Sequence, residues 1–183
     1  LMLAQKNRSF EITTVEIEAS CYRQLAENIE QSNYASQIKP VHQNILDFNP
    51  PIPFNTIISN PPFYENQLKS DRTTVNQARH DESLSLIELF TSANRLLDLN
   101  GHFYVLLPHF RKDETIAIAE GLGFYTTTCT VVHQTPAHHP FRVMFKFEKK
   151  SKPLLQNSIT IAERNGGYTE EFIRLLKAYY LHL

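Results

Sequence analysis

Hydrophobic and polar positions along this chain switch repeatedly between two rhythms. Short runs that are apolar or alternate strictly read as strands, and longer stretches with apolar residues every three to four positions read as helices. FEITTVEIE (10–18) is rich in β-branched residues and ends in acids, which predicts a short strand. SCYRQLAENIEQS (20–32) places Tyr22, Leu25, Ala26 and Ile29 on one helical face, with Ser20 in position to cap it. IKPVHQN (38–44) and FNTIIS (54–59) predict two more strands. The second is apolar almost throughout, the pattern of a strand buried on both faces.

A polar stretch (65–82) separates that strand from a helix over 84–97, which Asn100-Gly101 is expected to close. HFYVLLP (102–108) is a buried strand, and KDETIAIAEGLGF (112–124) a helix with acids in its first turn. TTTCTVVH (126–133) and FRVMFKF (141–147), joined by QTPAHHP, predict an antiparallel hairpin. After EKKSKPLLQN come a short strand near 159–161 and a helix capped by Thr169 that runs toward Tyr180. The alternation predicts a three-layer α/β fold with a mainly parallel sheet and an antiparallel C-terminal hairpin. The chain is expected to form a single domain over 1–183, with 151–183 as an appendage packed on it.

Composition narrows the function classes. With 183 residues, 42% of them hydrophobic, the chain can bury a sizeable core. A formal net charge of −1 gives no global attraction to nucleic acid, so any such binding needs a local patch. Two cysteines, Cys21 and Cys129, fit no disulfide framework, and the eight histidines show no zinc-site spacing. His138 and His139 are adjacent and would point to opposite faces of an extended segment. No metal is expected. No run of about 18 apolar residues and no signal peptide occur, which predicts a cytoplasmic protein with no membrane association. LMLAQKN reads as the end of a helix, and no glycine precedes Gly101. We therefore expect the native protein to extend upstream of Leu1.

In α/β sheets ligands bind at the carboxyl ends of the strands. Three strand ends here carry chemistry. Glu16 closes the first strand, where a carboxylate accepts hydrogen bonds from ribose hydroxyls. Asn44 and Ile45 close the second, an amide and an apolar face for a purine ring. Asn60 closes the third and opens Asn-Pro-Pro-Phe. Such a tetrapeptide most often only starts a turn; three suitable strand ends in succession give it more weight. Arg79 and His80, with Lys69 and Arg72, lie in the polar stretch and suit RNA phosphates as well as they suit an ordinary exposed loop. Arg142 opens an alternating apolar strand, more commonly a solvated strand end than a site residue. KFEKKSK (146–152) is basic enough for a nucleic-acid backbone, although such runs are usually solvated, and the aromatics of 103–104 and 141–147 are most simply core.

SNPPF (59–63) resembles the [D/N/S]-P-P-[Y/F/W] motif of the S-adenosylmethionine-dependent amino-group methyltransferases of the Rossmann-like class I fold. VEIE (15–18) and QNILDF (43–48) are similar to that class's ribose-binding and adenine-contacting strand ends, with Asp47 second to Asn44 and Ile45 at the adenine. ARHD (78–81), FYVLLP (103–108), FRVMFKF (141–147) and the tail 168–183 are most similar to bacterial tRNA adenine-N6-methyltransferases, which modify the adenine beside the anticodon of a valine tRNA. The resemblance implies S-adenosyl-L-methionine as cofactor, tRNA as partner and a monomer. It implies cofactor binding by Glu16, Asn44, Ile45 and Asn60, and catalysis by Asn60, Pro61 and Phe63. Pro62, Phe63, Arg79, His80 and Arg142 would bind the substrate. It also implies that the upstream segment supplies a strand and a glycine-rich loop.

The chemistry fits those residues. The exocyclic amine of adenine is a poor nucleophile because its lone pair is delocalised into the ring. The Asn60 side-chain oxygen and the Pro61 carbonyl can each accept one of its N–H groups, which favours a pyramidal nitrogen aimed at the methyl donor. Phe63 offers a ring on which an extruded base stacks. Two other readings share the motif or the fold: a methyltransferase for a protein glutamine amide or an rRNA guanine amino group, and a non-catalytic binding module.

Overall fold

Every strand expected from the apolar runs forms, and the strands fall into two sheets rather than one. A computed structural model describes residues 1–62 and 84–180. Its contacts divide the chain into two compact units, Leu1–Pro51 and Ile52–Leu183.

The first unit contains helix α1 (Met2–Lys6), strand β1 (Ile12–Glu16), helix α2 (Ala19–Glu30) and strand β2 (Ile38–His42). β1 and β2 are parallel, in register from Ile12 opposite Ile38 to Glu16 opposite His42. A parallel pair needs a crossover, and α2 provides it. Ile29, Ala4 and Ile38 are buried together, with Ile12, Leu25 and Tyr34 packed against them. The cap of α2 differs from expectation. Glu18 takes that place, accepting from the Ser20 amide at 3.2 Å and the Ser20 hydroxyl at 3.1 Å. Ser20 is thus a donor inside the first turn. A carboxylate suits the positive end of the helix, and the bonds from Ser20 hold Glu18 below the usual carboxylate range.

The second unit is built on a five-stranded sheet of β3 (Phe54–Ser59), β4 (Leu97–Pro108), β5 (Tyr125–His133), β6 (Arg142–Glu148) and β7 (Leu155–Thr160). Their order is β3-β4-β6-β5-β7. β3 runs parallel to β4 and β5 parallel to β7, and β6 lies antiparallel between β4 and β5. The hairpin expected from 126–147 is the β5–β6 pair. Helices α3 (Leu86–Leu96) and α4 (Lys112–Gly121) supply the residues that cover one sheet face. Alternation decides which side chains meet them: Phe103, Val105 and Leu107 on β4, and Val143, Phe145 and Phe147 on β6, are all buried. Phe90 of α3 packs edge-on against Phe103 and Phe147, each at 5.1 Å between ring centres.

Two further expectations change. β3 is not buried on both faces: it is an edge strand, and Ile58, on the face opposite Ile57, is 54% exposed. Asn100-Gly101 does not close α3 either, because the backbone is already extended at Leu97, where β4 begins. Leu97 pairs with Phe54 and His102 with Thr56, so residues 98–101 form an irregularity within the ladder. A Cβ on Gly101 would lie 2.7 Å from Leu97 Cδ1 and 3.1 Å from the Asn55 carbonyl oxygen. This glycine serves a close approach of chains, not a helix stop.

The ends of α3 are satisfied from both sides. Ser85 and Glu88 form a reciprocal capping box at its start. At its finish, Lys149 Nζ donates to the carbonyl oxygens of Asn94 at 2.7 Å and Leu97 at 2.8 Å. Helix α5 (Glu170–Leu176) is capped by Thr169 as expected, the hydroxyl accepting from the Phe172 amide at 3.2 Å. Among the described residues no helix is long and apolar enough to cross a membrane.

Candidate active site

In the first unit, the two parallel strands deliver their carboxyl ends side by side. Glu16 ends β1 and is half-buried. Its Oε1 accepts from the Glu18 amide at 2.8 Å, which orients the carboxylate before any ligand arrives. The Gln43 amide donates to the Glu16 carbonyl at 3.1 Å and carries the pairing one residue past β2. Asn44 and Ile45 therefore stand at the same end as Glu16, in the turn beyond the strand rather than on it. Asn44 is held there by its Oδ1, which accepts from the Leu46 amide at 3.0 Å, and by its carbonyl, which accepts from Asp47 at 3.1 Å. Asn44 and Ile45 are half-buried and Asp47 is exposed. These groups suit an adenosine-containing cofactor: Glu16 Oε2, with no hydrogen-bond partner among the described residues, can accept from a diol, and Ile45 offers an apolar surface to a ring. His42, the last residue of β2, stacks on Tyr22 at 4.9 Å and packs its Nε2 3.1 Å from the Ile17 carbonyl oxygen.

In the second unit, Asn60 follows directly on β3 and is exposed, Pro61 is buried and Pro62 is exposed. Neither proline has an N–H, so the ladder stops here and the chain must leave the sheet. Ser59 is level with Val105 of β4, and Pro108 is level with Arg142 of β6. The carboxyl ends of β3 and β4 and the start of β6 thus share one end of the sheet. Arg142 opens β6. It is half-buried, its guanidinium carbon lies 5.9 Å from the Phe141 ring centre, and it lines an open cleft of about 430 Å³ with Pro108, His109, Phe110, Pro140 and Phe141.

Of the aromatics expected in the core, Phe103, Phe145 and Phe147 are there, while Tyr104 and Phe141 are 37% and 40% exposed. Tyr104 points to the face opposite Phe103, and Phe141 precedes its strand. The lysines of the run 146–152 all bond within the protein, although Lys150 and Lys152 stay exposed. Lys146 and Lys152 hold Glu148 at 2.7 and 2.5 Å, Lys149 caps α3, and Lys150 donates to Asn100 Oδ1 at 2.5 Å. Both cysteines are free, Cys21 exposed and Cys129 buried. Phe63, Arg79 and His80, with Lys69 and Arg72, lie outside the described residues.

Parallel strand pairs, a helical crossover and an antiparallel strand within the second sheet are the architecture of a class I methyltransferase fold. Solved structures agree. An Agrobacterium tumefaciens protein described as a predicted O-methyltransferase matches 96% of this chain and 81% of its own, with a TM-score of 0.74 at 15% identity. The glycopeptide N-methyltransferase MtfA in complex with S-adenosyl-L-methionine matches 82% of this chain and 77% of its own, with a TM-score of 0.57 at 11% identity. The chain belongs to the methyltransferase small domain family, whose model matches residues 1–136. It is an S-adenosylmethionine-dependent methyltransferase domain. Relatives named tRNA1(Val) (adenine(37)-N6)-methyltransferase occur in Pseudoalteromonas translucida, 30% identical, and Phocaeicola vulgatus, 32% identical. Each alignment covers 100% of this chain and 78% of the relative.

Proposed function

We propose that this protein transfers a methyl group from S-adenosyl-L-methionine to the exocyclic amine of an adenine in tRNA, at the position beside the anticodon of a valine tRNA. The observation that carries this reading is the end of β3, where an exposed amide, Asn60, is followed at once by a buried proline, Pro61. That arrangement leaves two acceptors, the Asn60 side-chain oxygen and the Pro61 carbonyl, at a fixed point where the chain leaves the sheet. The names of the relatives, aligned over the whole chain, support the choice of substrate.

In this reading Glu16 receives the ribose hydroxyls of the cofactor, and Asn44 and Ile45 meet its adenine. When bound, the cofactor supplies an electrophilic methyl group on sulfur. Asn60 and Pro61 accept the two N–H groups of the target amine, which favours a pyramidal nitrogen with an available lone pair. Catalysis is by position and electrostatics, with no covalent nucleophile. Pro62 and Phe63 receive the extruded base, and Arg79, His80 and Arg142 its phosphates. The protein acts as a cytoplasmic monomer and as one methyltransferase domain over 1–183, without a metal.

Asn60→Ala in the full-length protein tests the reading. Single-turnover methylation of tRNA should fall about 10²–10³-fold, with cofactor affinity and melting temperature nearly unchanged. Phe63→Ala should weaken tRNA binding by about 1–3 kcal/mol through lost stacking. A stable Asn60→Ala protein with near-normal turnover ends the catalytic assignment, and label appearing in protein or ribosome fractions instead of tRNA reassigns the substrate.

A further inference from the structure

A carboxylate receives a diol best when it is aimed beforehand, and the aim of Glu16 depends on a single peptide unit. Glu16 Oε1 accepts from the Glu18 amide at 2.8 Å. The other end of that same peptide, the Ile17 carbonyl oxygen, lies 3.1 Å from His42 Nε2. A carbonyl can only accept, so Nε2 carries the hydrogen and donates it. The peptide is planar and trans, so its C=O and N–H point in opposite directions. Holding the carbonyl therefore sets the direction of the N–H. Donation to the carbonyl also polarises the amide and strengthens its bond to Glu16.

Side-chain packing does little to fix this peptide, since Ile17 is 60% exposed and Glu18 is exposed as well. His42 is well placed to do so. It ends β2 directly opposite Glu16, and its ring stacks on Tyr22 at 4.9 Å with 18° between the planes. Tyr22 stands near the start of α2, and its amide donates to the Glu18 carbonyl at 2.8 Å. Strand and helix thus grip the turn 16–18 from two sides. The His42–Tyr22 pair is not an extension of the core. The buried cluster of this unit holds Ile38, about 13 Å away at the opposite end of β2, and Ile29, about 10 Å further along α2.

We propose that His42 is a positioning residue of the ribose site. Acting through the Ile17–Glu18 peptide, it holds the Glu16 carboxylate with Oε1 occupied and Oε2 left for a ligand hydroxyl. Tyr22 steadies the imidazole. The inference rests on the ribose contact proposed for Glu16, and it makes that contact depend on a hydrogen bond the ligand never touches.

The test uses two probes, S-adenosyl-L-homocysteine and its 2′,3′-dideoxy analogue, which has no hydroxyl for Glu16. Both are titrated calorimetrically into the full-length wild type and into Glu16→Ala, His42→Phe, His42→Gln, Tyr22→Leu and the double variant Glu16→Ala/His42→Phe, with a melting curve for each. His42→Phe keeps a ring on Tyr22 but loses the donor, and should weaken S-adenosyl-L-homocysteine about 3–10-fold. The dideoxy analogue should bind His42→Phe as it binds the wild type. His42→Gln, whose amide nitrogen reaches the place of Nε2, should recover most of the lost affinity. Tyr22→Leu, which removes the support and leaves the donor, should also weaken the first probe and spare the second. In the Glu16→Ala background His42→Phe should cost nothing more. Equal losses on both probes, or an equal loss with and without Glu16, would make His42 a merely structural residue and overturn the proposal. A loss in Glu16→Ala beside wild-type affinity in His42→Phe and Tyr22→Leu overturns the positioning role alone. Wild-type affinity in Glu16→Ala overturns the ribose contact itself, so the two failures are told apart.

Discussion

Replacing Glu148 by glutamine should cost this protein much of its stability at neutral pH and little at pH 2. Glu148 ends β6 with a side chain only 5% exposed, and it is clasped by Lys146 at 2.7 Å and Lys152 at 2.5 Å. Burial alone would push the carboxyl group up. The hydrogen bonds and charges of the two lysines outweigh it and bring it from 4.5 down to about 2. The gap between those values, at about 1.4 kcal/mol per pH unit, corresponds to about 3 kcal/mol. Lys152 is half-exposed and its share is screened, so about 2–3 kcal/mol is the expected loss. The sign follows from the depressed folded value. The stabilisation is nearly complete above about pH 4.5 and is lost as pH falls through about 2; only well below that does the wild type carry the same neutral group as the variant. Urea unfolding of wild type and Glu148→Gln across pH 2–7 should give two stability curves that diverge from pH 2 upward and run parallel above about 5. Curves that coincide at pH 7 would refute the reasoning.

Lys149→Met should lower stability by about 1–3 kcal/mol, because it strips the last carbonyls of α3 of their donor in a half-buried setting; a melting curve checks it. Glu16→Ala in the full-length protein should weaken S-adenosyl-L-methionine by about 1–3 kcal/mol, by loss of charged hydrogen bonds to the ribose, with little change in melting temperature. Calorimetric titration that gave the wild-type affinity would remove Glu16 from the site.

Much of this fold is legible in the chain because its strands alternate cleanly. The pattern of β4 and β6 marks Phe103, Phe145 and Phe147 as core, and Thr169 announces the start of α5. Where local signals are ambiguous, the reading goes astray. Asn-Gly closes helices and also fits tight irregular backbone, so Gly101 reads as a helix stop although its missing Cβ makes room for Leu97 and Asn55. The row of lysines from 146 to 152 reads as solvated, which holds for the exposed Lys150 and Lys152 but misses the buried carboxylate among them, Glu148. Strand-end logic places Glu16, Asn44, Ile45 and Asn60 at or just beyond the carboxyl ends of β1, β2 and β3, since it needs only the direction of the chain. It cannot find the cleft around Phe110. That cleft joins residues about thirty positions apart, and only the antiparallel pairing of β4 with β6 brings them together.

The position of β6 also governs the order in which the second unit can be assembled on the ribosome. β3 and β4 pair directly, but β5 is synthesised before its antiparallel neighbour exists, and β6 must then slot between two strands already made. Until residue 148 has emerged, one edge of β4 is open and Phe103 lacks Phe147, against which it packs. A nascent chain paused after β5 presents unpaired backbone and bare aromatic surface at once, the combination that invites misassembly. β6 thus makes closure of the core a late event, completed in one step by the strand that carries Phe145, Phe147 and Glu148.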